Sequence, residues 1–164
     1  MNTKFSLQNK TVLVTGGGSG IGKAIATTFA AQGAQVHILD FHKNSASETA
    51  NEITEQGFFA QAHLCDVSKF SQVMGVVETI SKTSKITTLI NNAGIAHVGN
   101  IEVCEEADLD RLYQVNIKGV YNCSKAVISE MKKNKEGVII NLASIASIVG
   151  ISDRFAYCQA MATG

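Results

Sequence analysis

A strand that ends in glycines and turns at once into a helix is the feature that most constrains this chain. The apolar run Val12-Leu13-Val14 leads into Thr15-Gly16-Gly17-Gly18-Ser19-Gly20-Ile21-Gly22, where an apolar-periodic segment begins. Such a turn leaves unpaired N–H groups at the positive end of the helix dipole, where a pyrophosphate can sit. Taken alone, a glycine-rich turn is equally a tight loop that binds nothing. The acid that follows argues for a ligand. Asp40 closes the next apolar run, Val36-His37-Ile38-Leu39, 18 residues beyond Gly22. That is close to the roughly 20-residue offset at which a carboxylate reaches adenosine ribose hydroxyls.

Periodicity organises the rest. Thr11 to Thr15 reads as a first buried strand, and Ile21, Ala24, Ile25, Ala26 and Phe29 recur at helical spacing until Gly33, a helix C-terminal signal. A second strand spans Gln35 to Leu39. Ser45 and Glu48 then have the spacing of a capping box for a helix that Gly57 ends. Phe58 to Leu64 reads as a third strand, followed by the loop Cys65-Asp66-Val67-Ser68. Val73, Val76, Val77 and Ile80 form the stripe of a third helix. Ile86 to Ile90 is a fourth strand that runs into Asn91-Asn92-Ala93-Gly94. Leu109, Leu112, Tyr113, Asn116, Val120, Cys123, Val127 and Met131 mark one long fourth helix, and Gly137 to Ala143 a fifth strand. Strands alternating with helices imply a parallel sheet covered on both faces, with the chemistry in the loops after strands one, four and five.

At 164 residues, without repeat, linker or low-complexity stretch, residues 1–164 read as one domain. Acids and bases balance at 14 each, which favours neither nucleic acid nor a charged tail as a partner surface. Met1 to Lys10 holds no apolar stretch, so no membrane segment is expected and the cytoplasm is the default location. Cys65, Cys104, Cys123 and Cys158 stand far apart and share no ligand spacing with the four histidines. They read as free buried thiols, and no metal site is expected. Proline is absent, where average usage of about 5% would supply about eight.

With Thr15 to Gly22, Asp66, Asn91-Asn92-Ala93-Gly94, Asn116, Ser144 and Tyr157 in view, the chain resembles the short-chain dehydrogenase/reductase family, in order and at matching spacing throughout. The resemblance implies a Rossmann-type doubly wound α/β fold, of which the chain carries the first five strands of a larger single domain. It also implies a nicotinamide cofactor and hydride transfer between an alcohol and a carbonyl compound, a small-molecule substrate in either case. Gly16, Gly20 and Gly22 then correspond to the phosphate-turn glycines, with Ser19 and Ile21 between them. Asp40 corresponds to the acid that binds both ribose hydroxyls and repels a 2′-phosphate. Ser19 is not replaced by a base and Phe41 follows Asp40, so NAD is favoured over NADP. Asp66 and Val67 correspond to the pair at the adenine edge, although Asp66 is also read as a loop acid bonding nearby N–H groups. Asn92, Ala93 and Gly94 line the cofactor's path. Asn116 is either a satisfied core amide or the group that orders a proton-relay water, and the two are compatible. Ser144 steadies the substrate oxygen and Tyr157 is the general acid/base. A homo-oligomer is implied for a full-length form.

The pattern breaks at one position. The family carries a lysine four residues after the tyrosine, one helical turn on, and this chain has Met161. A free phenol has a pKa near 10 and needs a nearby ammonium to favour the phenolate, and losing general acid/base function costs about 10² to 10⁴ in rate. Gln159 to Gly164 departs from the family while Asp153 to Cys158 still follows it. The expectation is therefore a frameshifted or truncated copy whose fifth strand is left as an open apolar edge. Its activity is doubtful, and the alternatives are a catalytically inactive NAD-binding module or a partner subunit.

Overall fold

The structure, a computed structural model, describes residues 5–162. Five parallel strands lie in the order β3-β2-β1-β4-β5. They are β1 (Thr11–Thr15), β2 (Gln35–Asp40), β3 (Ala60–Leu64), β4 (Ile86–Asn91) and β5 (Val138–Asn141). Helices α1 (Gly20–Ala31), α2 (Lys43–Glu55) and α3 (Phe70–Ser81) make the first crossovers. The order reverses between β1 and β4, and the crevice a ligand would use opens at the carboxyl ends of those two strands.

Alternation along β1 sends its side chains into two different cores. Val12 and Val14, with Val36, Ile38 and Ile90, pack on Ala26 and Ala30 of α1 and Ala46, Ala50 and Ile53 of α2. Leu13, with Leu39 and Leu89, packs on Val73, Val77 and Ile80 of α3 and on Cys123, Val127 and Met131. Every residue of β1 is buried, as expected for a strand covered on both faces. Each fully buried Leu, Ile or Val contributes about 1.5–3 kcal/mol. The small residues on α1 bring that helix close enough to the sheet for its first turn to face the crevice.

Several boundaries differ from the sequence reading, each for a local reason. Helix α2 starts at Lys43, with His42 at its N-cap and no side-chain capping bond, so Ser45 and Glu48 lie inside the helix and the expected capping box is not formed. Its start is set by Asp40, whose Oδ1 accepts from the His42 N–H at 2.8 Å. The strands β3 and β5 are shorter than expected, beginning at Ala60 and Val138. The single fourth helix is three pieces: α4 (Glu106–Leu112), a π-helical segment (Tyr113–Lys118) and α5 (Gly119–Asn134). Widening the turn rotates the stripe, so Leu109 and Tyr113 are exposed while Leu112, Asn116, Cys123, Val127 and Met131 stay buried. Of the four thiols only Cys65 and Cys123 are buried; Cys104 and Cys158 are half-buried. Burial pushes the inner pair up, Cys65 to about 11 and Cys123 to about 12. Val138 and Ile140 leave β5 an apolar edge strand, 53% and 42% exposed.

Candidate functional site

The glycine turn is shaped by close approach at three positions and by open space at a fourth. Gly16 has φ +63° and a Cβ there would lie 2.9 Å from the Ala93 backbone. A Cβ on Gly18 would meet Asp40 Oδ2 at 2.9 Å, and one on Gly22 the Gly16 carbonyl at 2.1 Å and Asn92 Nδ2 at 2.5 Å. Nothing lies within 4 Å of the corresponding position on Gly20, whose φ is +52°. The backbone is thus crowded against strand, acid and neighbouring loop on one side and open on the other. Helix α1 starts at that open side, with Ser19 at its N-cap and its first-turn N–H groups lacking intrahelical partners. Ile21 is 67% exposed beside them.

Thr15 locks this turn to the end of β4. Its buried hydroxyl oxygen accepts from the N–H groups of Asn92 and Ala93, both at 3.0 Å, and donates to the Ile90 carbonyl at 3.3 Å. Asn92 Nδ2 donates to the carbonyls of Thr15 and Gly16 at 2.9 and 3.1 Å. Asn91 Nδ2 reaches Asn141 Oδ1 at 2.9 Å and Ser124 Oγ at 3.2 Å, tying β4 to β5 and α5.

Asp40 ends β2 almost fully buried, and each carboxylate oxygen takes one backbone N–H: Oδ2 that of Gly18 at 2.9 Å and Oδ1 that of His42. It therefore lies against the glycine turn, with the exposed Phe41 next in the chain. Asp66 closes its own turn, Oδ1 accepting from the Ser68 N–H at 3.0 Å and hydroxyl at 2.6 Å, the geometry of a loop acid. Val67 packs into the core, and its carbonyl accepts from Asn122 Nδ2 at 2.8 Å.

Asn116 lies in the π-helical segment and spends both ends of its amide on one residue. Oδ1 accepts from the Ile95 N–H and Nδ2 donates to the Ile95 carbonyl, each at 2.9 Å. This is the main-chain pairing expected of a polar residue in an apolar stripe, and it fixes the loop that follows Gly94. Ser144 caps a short 3₁₀ turn (Ile145–Ser147), its Oγ accepting from the Ala146 N–H at 3.2 Å. Tyr157 stands on α6 (Phe155–Ala162), packed partly on Leu112, Ala156 and Ala160.

A cleft of about 230 Å³ gathers much of this set. Ile21 comes from the glycine turn, Asn92, Ala93 and Gly94 from the end of β4, Asn116 from the π-helical segment, and Tyr157 and Met161 from α6. Met161 therefore shares a wall with Tyr157, one helical turn on. Ser144 is one residue beyond the cleft-lining Ala143, and Asp40, Asp66 and Val67 lie outside the lining. Two features had no signal in the sequence: the π-helical turn that carries Asn116, and a contact between His97 Nε2 and Asp108 Oδ2 at 3.3 Å beside the cleft-lining Ala96.

Strand order, helices on both faces and a crevice at the β1/β4 switch point define the Rossmann-type doubly wound class. Within it, the chain belongs to the short chain dehydrogenase family, whose model matches residues 10–162. A Thermotoga maritima protein described as an uncharacterized oxidoreductase is 40% identical over 153 residues, covering 93% of this chain and 61% of its own length. The 2-(S)-hydroxypropyl-CoM dehydrogenase 3 of Xanthobacter autotrophicus is 36% identical over 155 residues, with 94% and 61% covered. A crystal structure from Beutenbergia cavernae, assigned as an NAD(P)-dependent gluconate 5-dehydrogenase and holding NADP at low occupancy, superposes with a TM-score of 0.90. It is 30% identical and covers 96% of this chain and 63% of its own. The chain thus spans about three-fifths of the length of the relatives it matches. The family is one of NAD(P)-dependent oxidoreductases. No helix among the described residues is long and apolar enough to cross a membrane.

Proposed function

We propose that this chain binds NAD(H) at the glycine turn and belongs to an oxidoreductase acting on an alcohol or the matching carbonyl compound, with Tyr157 moving the proton. The observation that carries the reading is the shared cleft, which joins Ile21 of the glycine turn to Tyr157. The residues present fit a dinucleotide. Gly20 leaves open space beside unpaired helix-start N–H groups, which suits a pyrophosphate. Asp40, buried against that turn, would meet a 2′-phosphate with a carboxylate, which favours NAD over NADP.

When bound, the nicotinamide supplies the hydride acceptor or donor. In the reducing direction the Tyr157 hydroxyl gives its proton to the substrate oxygen; in the oxidising direction its oxygen receives the proton that the alcohol loses. Ser144 has the right free valence to steady that oxygen. Its Oγ already accepts from Ala146, which leaves the O–H to donate. Asn116 holds Ile95 and so fixes a lining residue of the cleft that packs against α6. The thioether of Met161 carries no charge to hold a phenolate, so turnover is slow.

Restoring the charge tests this. Met161→Lys is expected to raise kcat by about 10²-fold or more, read by nicotinamide absorbance with a panel of secondary alcohols and ketones. A variant that binds NADH yet turns over no faster than the parent contradicts the assignment of Tyr157. Met161 also favours a second reading, a nucleotide-binding module without catalysis, which predicts that same flat result together with intact binding.

A further inference from the structure

We propose that His97 is a positioning residue for Tyr157, acting through Gly99 on the foot of α6; this rests on the reading of Tyr157 as the proton-transfer group. His97 is in the loop between β4 and α4, one residue past the cleft-lining Ala96. Its side chain is 16% exposed, and Nε2 faces Asp108 Oδ2 at 3.3 Å. Asp108 Oδ1 lies 3.7 Å from an Arg111 guanidinium nitrogen, so the carboxylate is held from both sides.

The ring bears directly on the backbone. A Cβ on Gly99 would stand 2.8 Å from His97 Cε1, so only a bare glycine allows the ring to occupy that place. Gly99 in turn grips the start of α6. Its N–H donates to the Asp153 carbonyl at 2.9 Å, and its own carbonyl accepts from the Phe155 N–H at 3.1 Å. Phe155 is the first residue of α6, two before Tyr157. A displacement of the His97 ring passes through one glycine and two hydrogen bonds to the helix that carries the tyrosine.

The other ring nitrogen, Nδ1, is buried without a hydrogen-bond partner, so the contact of Nε2 with Asp108 is what fixes where the ring sits against Gly99. The other charged groups on the surrounding elements are Glu102 and Glu105 in the same loop, Glu106, Asp110 and Arg111 on α4, and Asp153 and Arg154 before α6.

The test needs no turnover, which keeps a failed coupling distinct from an inactive Tyr157. The chain has three tyrosines, Tyr113, Tyr121 and Tyr157, and four histidines, so ring-labelled tyrosine and histidine give resolvable NMR signals. Tyr157→Phe and His97→Gln assign the two signals in question. The expected result is that His97→Gln moves the Tyr157 ring signal at constant pH while exposed Tyr121 stays fixed, whereas Asp108→Asn, which keeps an oxygen acceptor for His97 Nε2, leaves the Tyr157 signal in place. Should His97→Gln unfold, Asp108→Leu serves instead: it removes that acceptor, and the Tyr157 signal must move. A Tyr157 signal that stays still in the folded His97→Gln or Asp108→Leu variant, or that moves as far in Asp108→Asn, overturns the proposal.

Discussion

Thr15→Val isolates the lock between the glycine turn and the end of β4. Valine has the same shape, so the core is kept and only the hydroxyl is lost. Three bonds go with it: the Asn92 and Ala93 N–H groups lose their acceptor, and the Ile90 carbonyl loses a donor. Thr15 is 2% exposed, whereas Asn92 and Ala93 are half-buried and water can replace part of what they lose. A buried donor left unpaired costs about 1–3 kcal/mol and a half-buried one near the low end, while the 3.3 Å bond to Ile90 is weak. The sum is about 2–3 kcal/mol. Urea unfolding followed by far-ultraviolet circular dichroism reads it, since the chain has no tryptophan. The control is Thr79→Val, whose exposed hydroxyl bonds only the Gly75 carbonyl of its own helix and should cost under about 0.5 kcal/mol. A loss for Thr15→Val as small as the control's refutes the lock. The same variant is expected to weaken NADH binding several-fold, because Asn92 to Gly94 lose their anchor.

Gly22→Ala and Gly20→Ala should separate packing from ligand approach. The first puts a carbon 2.1 Å from the Gly16 carbonyl and is expected to destabilise by about 3 kcal/mol or more. The second enters open space at positive φ, costs about 1 kcal/mol, and weakens nucleotide binding out of proportion to that; equal stability losses would contradict the geometry. A pH dependence follows from β2 and β3, where His37 Nδ1 lies 2.9 Å from His63 Nε2. Burial, with His63 beside it, pushes His37 from 6.5 down to about 4, and burial also lowers His63. The unfolded chain then takes up protons that the folded one refuses, so stability is complete above pH 6.5 and falls by about 2–3 kcal/mol as pH drops to about 4. Glu136, held down to about 2 by its hydrogen bonds to Lys10 and Lys85, acts in a lower window, between 4.5 and 2. His37→Leu should flatten the upper window in urea titrations, and an unchanged slope would sink the assignment.

The features legible in the sequence are those whose cause is local. β1, the glycine turn and α1 follow from a buried apolar run, glycines at positions that exclude a Cβ, and helical spacing, all within 21 residues from Thr11 to Ala31. Asn116 was recognisable as a polar residue that must find partners, and it does. What escaped depends on contacts distant in sequence or on a change of helical pitch. One widened turn at Tyr113–Lys118 leaves the apolar spacing nearly intact, so a pattern read at 3.6 residues per turn passes over it. The start of α2 belongs to the Asp40 carboxylate rather than to Ser45 and Glu48. The His97–Asp108 contact joins a loop to a helix across 11 residues with no motif to mark it.

Calorimetric titration of the chain with NADH and with NADPH tests the central claim most directly, because it asks about the glycine turn without relying on turnover. One saturable NADH site per chain is expected, at least about tenfold tighter than NADPH, with the preference abolished in Asp40→Ser. Absence of binding to a folded chain, or tighter binding of NADPH, contradicts it.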